Sequence, residues 1–261
     1  MPSEHIHQQL QDRIFTLEIN RRDRKNALNQ AAYIALIEGL DEAEINPDIS
    51  VVLIKGQHDL FSSGNDIKDF LNRDPNQEPK GRAFLKRIAR FRKPIVAAVG
   101  GDAIGIGTTL LLHCDFVLAA DNARFQLSFV NLGLCPEGGS SYLLPLMAGS
   151  KLANELLLIG KPFNAEIAKN AGIVSSIWSA DQVIEQALEL SKELANKPLD
   201  ALLTTKALLK KPFQSQLDQV IDDELTEFSR LLNTTPSKEI MSAFLEKRPP
   251  DKSTFKIIEN K

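Results

Sequence analysis

The sequence predicts an α/β protein with a helical C-terminal extension, on two observations. Three short apolar runs, at 51–54, 94–99 and 115–120, have the length and composition of buried strands and are separated by polar or helix-periodic stretches. From residue 181 onward the apolar spacing is helical almost to the end. Strands therefore fill the first two-thirds of the chain and helices the last third.

Taken in order, residues 13–20 alternate Phe15, Leu17 and Ile19 with Thr16 and Glu18, the period of a strand with one buried face. Leu28, Ala32, Leu36 and Leu40 then repeat every four residues, a helix stripe, and 51–54 is the first continuous strand. A polar segment rich in turn formers covers 58–79, followed by a helix carrying Phe84, Leu85, Ile88 and Phe91. Strand 94–99 runs straight into the glycine-rich stretch 100–107, and strand 115–120 follows. Beyond Pro136 helices are predicted at 140–147, 151–159 and 165–171, with a last short strand at 172–178. Helix breaks are predicted near Pro198, Pro212 and Pro236. The core is taken as 1–195 and the extension as 196–261, whose Phe228, Leu231, Leu232 and Phe244 must be buried by folding back or on a neighbouring subunit.

Composition excludes several classes. With 43% hydrophobic and 25% charged residues the chain is neither disordered, collagenous nor a disulfide scaffold. Its 31 basic residues against 34 acidic ones give no electrostatic reason to expect nucleic acid. Cys114 and Cys135 lack a metal-ligand spacing, and two cysteines in apolar stretches point to a reducing, intracellular compartment. No apolar run reaches about 18 residues, so no membrane-spanning helix is expected. Without the pattern of a signal peptide or a peroxisomal address, cytoplasm is the default.

Three segments could carry chemistry. The stretch 100–107 is not a dinucleotide fingerprint, because Leu110 stands where the third glycine belongs. Its glycines suit either a tight strand-to-helix turn or the close approach of a ligand to bare backbone N–H groups. Ser62-Ser63-Gly64-Asn65-Asp66 is an ordinary helix-start signal or a second such backbone site. Pro136-Glu137-Gly138-Gly139 places a carboxylate beside open space; in apolar surroundings that carboxyl would have a raised pKa and serve as a base. His5 and His7 lie in a terminal segment expected to fray, His113 on a core helix, and no metal site is expected. Lys210-Lys211 and the charges at 246–248 read as solvated faces.

Together these segments resemble the crotonase (enoyl-CoA hydratase/isomerase) superfamily. The similarity runs through 24–28 (Arg-Lys-Asn-Ala-Leu), 61–70, 94–101 with 114–116, and the tail 242–248, in the family's order. It implies a spiral of ββα turns, assembly as homotrimers or paired trimers through the helical C-terminal region, and acyl-CoA thioesters as substrates with no further cofactor. The two oxyanion-hole donors map to the backbone N–H groups of Asn65 and Ile106, the latter standing where the family has a glycine. The resemblance further implies that Ser63, Gly64, Asp66, Ile67 and Gly105 line the thioester and pantetheine. Lys25 and Ala27 would approach the nucleotide end, and Lys256 the phosphates of a neighbour's CoA. Phe70, Leu71 and Phe84 suit the acyl-tail pocket and the core equally.

The departures select among reactions. The two glutamates with which hydratases of the family add water align with Thr109 and Phe129. Glu137 falls where Δ3,Δ2-enoyl-CoA isomerases keep their single catalytic glutamate. An isomerase is therefore expected, with a hydratase, a ring isomerase of the epoxyphenylacetyl-CoA type (which favours aspartate here) and a non-catalytic acyl-CoA-binding protein as rivals.

Overall fold

A computed structural model describes residues 4–71 and 79–255 and carries the predicted α/β class. Ten strands form two sheets. In chain order they are β1 (Ile6–Gln11), β2 (Ile14–Ile19), β3 (Val51–Lys55), β4 (Leu60–Ser62) and β5 (Ile95–Val99). There follow β6 (Asp102–Ile104), β7 (Phe116–Ala120), β8 (Arg124–Gln126), β9 (Phe163–Asn164) and β10 (Ser176–Trp178). The larger sheet has the order β1-β2-β3-β5-β7-β10 and the smaller β4-β6-β8-β9. Successive pairs β3/β4, β5/β6 and β7/β8 each place one strand in either sheet, so the chain winds as a spiral. Within the large sheet β2, β3, β5, β7 and β10 are parallel, and the Val, Ile, Leu and Ala side chains of β3, β5 and β7 are buried on both faces.

The corners of the spiral explain part of the glycine-rich stretch. A Cβ on Gly101 would lie 2.0 Å from Asp59 O, and one on Gly100 2.5 Å from Gln57 O. Those two glycines let one turn of the spiral touch the turn before it.

The helices are α1 (Gln30–Ile45), α2 (Ile67–Leu71), α3 (Lys80–Ala89), α4 (Ile106–Thr109), α5 (Ser140–Asn154), α6 (Ala165–Asn170), α7 (Val183–Ala195), α8 (Leu199–Leu232) and α9 (Thr235–Leu245). Asn29, Asn164 and Thr234 cap α1, α6 and α9 by accepting from the N–H three residues on. The long α8 folds back across α3 and α5, burying Leu217, Ile221, Leu225, Phe228 and Leu232.

Several expectations need correction. The N-terminal segment is not frayed: Ile6–Gln11 pairs antiparallel with Ile14–Ile19, and Asn20 Nδ2 donates to His7 Nε2 at 2.8 Å. Pro212 does not break its helix, which is held on both sides of it. Lys206 donates to Asp115 Oδ2 and Lys93 O before the proline, and Asp218 pairs with Arg90 after it. Lys210 is no solvated side chain, since it donates to Ala89 O, and burial beside Lys206 pulls its pKa down to about 8. One stretch, Ser140–Ile159, is by length and composition apolar enough to cross a bilayer, where none was expected. It leaves helical geometry at Gly149, ends in a π turn, and packs Leu144, Ala153, Leu156 and Leu157 into the fold.

The Lys206–Asp115 pair, at 2.6 Å, ties α8 to the start of β5, because Asp115 Oδ2 also accepts from Ile95 N–H at 2.7 Å. Lys206 lies 5.8 Å above the Phe91 ring. Lys206→Met is expected to lower unfolding stability by about 2–3 kcal/mol in urea titrations, at the low end for a broken buried pair because Asp115 is partly hydrated.

Candidate active site

The site forms at the carboxyl ends of β4, β6 and β8, neighbours in the small sheet. β4 and β6 are parallel, with Leu60 opposite Asp102 and Ser62 opposite Ala103, so the chain leaves both strands on the same side. A short helix begins after each: α2 at Ile67 and α4 at Ile106. Adjacent strands lie about 4.8 Å apart. That spacing sets Gly64-Asn65 beside Gly105-Ile106.

Two backbone N–H groups are left over there. Gly64 N–H donates to Ser62 Oγ and Asp66 N–H to Leu28 O, while the Asn65 N–H between them has no acceptor among the described residues. Ile106 is the first residue of α4, where an N–H has no intrahelical partner. The preceding glycines make this geometry possible. Gly64 has φ +89°, and a Cβ on it would sit 2.6 Å from Ile104 O. Gly105 has φ +56° with nothing within 4 Å of a Cβ position, so its backbone faces open space. The side chain of Ile106 is buried, and only its backbone is needed.

Glu137 comes from the segment before α5. It is 3% exposed, and its Oε1 accepts from the Thr109 hydroxyl at 2.6 Å. Burial pushes its carboxyl up to about 8 against the opposing pull of the Thr109 hydrogen bond, and the charge of Glu224 adds to the rise. Gly138 and Gly139 follow with φ +69° and +74°, a conformation closed to most side chains. Gly138 O accepts from His113 Nε2 at 2.8 Å, and burial lowers that imidazole to about 4, keeping it neutral.

Of the residues expected to bind substrate, Ser63, Gly64, Asn65, Ile67 and Gly105 line one cavity of about 450 Å³. Phe129, Leu134 and Phe228 form its apolar wall, and Arg248 and Pro250 reach it from the C-terminal segment. Glu137 and Ile106 line a smaller cavity of about 50 Å³ with Tyr33, Leu225 and Leu232, and Asn65 and Phe228 border both. Asp66, Lys25 and Ala27 line neither. Asp66 pairs with Arg21 at 2.7 Å, and Ala27 O accepts from the same guanidinium. Lys25 O accepts from Ser63 N–H, so the 21–28 turn braces the Ser63–Asp66 backbone. Phe84 packs in the core against Tyr33, their rings 5.7 Å apart, whereas Leu71 is only partly buried. The Phe70 side chain and Lys256 lie outside the described residues. Among the described residues no cluster of His, Cys, Asp and Glu could hold a metal.

Two residues at the site were not read from the sequence. Glu224 of α8 accepts from Gly139 N–H at 2.6 Å and from Ser141 N–H at 2.8 Å and its hydroxyl at 2.5 Å, taking the place of a helix cap for α5. Burial raises its carboxyl, while these hydrogen bonds work the other way. Its signal was present: Glu224 interrupts the apolar stripe Leu217, Ile221, Leu225, Phe228. Tyr33 of α1 donates to Asn65 Oδ1 at 2.5 Å. Its ring is packed as a core aromatic and only its hydroxyl reaches the site.

Comparison with known proteins agrees with this geometry. Residues 9–254 match the family model described as "Enoyl-CoA hydratase/isomerase". A 2,3-dehydroadipyl-CoA hydratase of Escherichia coli (strain K12) is 35% identical over 243 residues, 92% of this chain and 95% of that one. An enoyl-CoA delta isomerase 2 of Rattus norvegicus is 34% identical over 244 residues, 90% of this chain and 62% of that one. The crystal structure of an enoyl-CoA hydratase/isomerase from Pseudoalteromonas atlantica T6c superposes with a TM-score of 0.90 at 36% identity, covering 95% of this chain and 99% of that one. With a match over nearly its whole length, two parallel-strand ends presenting unpaired N–H groups and a buried glutamate beside them, the chain is an enzyme of the enoyl-CoA hydratase/isomerase family, the crotonase superfamily.

Proposed function

We propose that the protein is an enoyl-CoA isomerase that converts a 3-enoyl-CoA to the 2-enoyl-CoA, with Glu137 as the single acid and base. The observation that carries this is the isolation of the Glu137 carboxyl. Thr109 holds its Oε1, which leaves Oε2 to move a proton. The other buried carboxylate close by, Glu224, has both oxygens committed to Gly139 and Ser141. Addition of water across a double bond calls for a second group to orient and activate that water, and the positions that align with the two hydratase glutamates hold Thr109 and the buried Phe129. A 1,3-proton shift needs one carboxyl and a dry site.

The steps balance without a cofactor. The thioester oxygen sits between the Asn65 and Ile106 N–H groups. Glu137 takes a proton from C2, and the electron pair moves onto that oxygen as a dienolate. The same proton returns at C4, the double bond forms between C2 and C3, and the carboxylate is regenerated. Both N–H groups bind the dienolate oxygen more strongly than the neutral thioester, so they lower the barrier rather than only KM. A raised carboxyl pKa suits this role, because the protonated form must persist long enough to be returned.

A hydratase is the second reading, favoured by the likeness to the Escherichia coli enzyme, whose name is that of a hydratase. A cytoplasmic homotrimer or homohexamer is proposed with the isomerase, on the family resemblance.

Purified protein mixed with 3-hexenoyl-CoA is expected to produce the conjugated 2-enoyl thioester, seen by its ultraviolet absorbance, and to leave 2-hexenoyl-CoA unhydrated. Hydration without conjugation overturns the isomerase. Glu137→Gln is expected to slow conjugation by about 10²–10⁴-fold. Near wild-type turnover in that variant removes Glu137 from the mechanism.

Proline is tolerated at the first position of a helix, so Ile106→Pro removes one oxyanion donor together with the buried isoleucine side chain, a loss that Ile106→Ala shares and controls for. It is expected to raise the barrier by about 2.7–4 kcal/mol, while Ile106→Ala, which keeps the N–H, costs far less in kcat.

The carboxylate is the base in the free enzyme, so kcat/KM is expected to rise with pH through an apparent pKa near 8. Thr109→Val removes the hydrogen bond that lowers this pKa and should move that limb to higher pH. The same shift bears on folding. The native state holds the Glu137 proton, so its contribution to stability is complete below the ordinary carboxyl value of 4.5 and is lost as pH rises toward 8.

A further inference from the structure

Two ties hold the Gly64–Asp66 backbone to the entry of α1: Leu28 N–H donates to Gly64 O at 2.8 Å and Asp66 N–H to Leu28 O at 3.0 Å. Both lie on one edge of the segment, and because the Gly64–Asn65 peptide is planar the first of them also sets the line along which the Asn65 N–H points. That peptide follows a glycine at φ +89°, a residue that restricts its own backbone least, so the bond to Leu28 holds the plane from one side only. A further constraint on it acts through the Asn65 side chain. Tyr33 Oη donates to Asn65 Oδ1 at 2.5 Å, and a carboxamide held at its tip restricts its residue's backbone rotation.

The tyrosine is itself immobile. It is 2% exposed, its ring lies 5.7 Å from that of Phe84 at 39°, and a Cβ on the facing Gly81 would come within 3.3 Å of the ring. It lines the cavity shared by Glu137, Ile106 and Asn65. Its phenol stays protonated, since burial and then the Glu137 and Asp69 charges push it well above 10, so it remains a donor wherever the enzyme works. We infer that Tyr33 is a positioning residue for the oxyanion hole: through the Asn65 carboxamide it steadies the Asn65 N–H on the line that the Leu28–Gly64 bond gives it, toward the thioester oxygen. The inference rests on the enolate-forming mechanism above, though not on where the double bond ends up.

The test is a double-mutant cycle read by a reaction simpler than isomerisation, the exchange of the α-protons of butyryl-CoA for deuterium in D₂O. Tyr33→Phe and Asn65→Ala both keep the Asn65 backbone N–H. Each is expected to lower the exchange kcat about tenfold with KM changed less than about twofold, and the double variant should be no slower than Asn65→Ala alone. Multiplying losses, or full activity in Tyr33→Phe, overturn the inference. A readout without turnover accompanies it, the infrared carbonyl stretch of bound hexanoyl-CoA labelled with ¹³C at C1. Both variants should move that band toward its position in free thioester by the same amount, and an unshifted band in the folded variants overturns the inference. Wild-type protein that exchanges α-protons but does not conjugate 3-hexenoyl-CoA overturns the isomerase and leaves Tyr33 to the cycle. Wild-type protein inert in both reactions overturns the two together.

Discussion

Everything at this site depends on the spacing of two parallel strands. Hydrogen bonding between β4 and β6 fixes where both chains emerge, and a helix starts at each exit. A helix start has spare N–H groups by construction. Ile106 supplies one of these, and the Asn65 N–H, two residues ahead of α2, is left over by the bridge to Leu28, so two donors lie one strand-spacing apart. The spiral supplies this pair cheaply, because each of its turns contributes a strand to the small sheet and an exit at the same edge. The chemistry is then chosen by what surrounds the pair.

Two buried glutamates divide the remaining work. Glu137 has one oxygen held by Thr109 and the other without a partner among the described residues, and its elevated pKa suits the proton transfer proposed for it. Glu224 is saturated with donors and acts as an anchor, accepting from the amides that open α5. They are coupled, because a charge on Glu224 raises the carboxyl of Glu137. The anchor thus orients the loop that carries Glu137 and also raises that carboxyl. Leu217 closes on Gly139 from the same helix, where a Cβ would lie 2.4 Å from Leu217 Cδ1 and push that side chain aside.

Legibility in the sequence followed chemical distinctiveness. Glu137 stood out as a carboxylate beside two glycines, whereas residues 62–66 and 100–107 read equally as a helix start and a turn, and Asn65 and Ile106 were singled out by the family resemblance. The large sheet was visible because β3, β5 and β7 are continuous apolar runs. The small sheet was not: β4, β6, β8 and β9 have three or fewer residues each, below the length at which any period can be counted. Yet that sheet builds the site. The glycine-rich stretch had two readings, and the structure divides them between residues. Gly100 and Gly101 serve packing between turns, and Gly105 opens backbone toward the cavity. Glu224 and Tyr33 escaped notice because each sits on a helix whose neighbouring positions are apolar. Pro212 misled for the opposite reason, since a local rule was overruled by contacts on either side of it.

The anchoring of α5 by Glu224 spans 85 residues of sequence, which gives the enzyme a history as well as a shape. During synthesis the strands, the oxyanion segments and Glu137 leave the ribosome before any of the residues that roof the site. A nascent chain can complete its sheets while the α5 amides still lack their acceptor and the Glu137 cavity has no lid of Leu225, Phe228 and Leu232. The order of synthesis thus puts the residues of the sheets first and those that roof the site, all on α8, last.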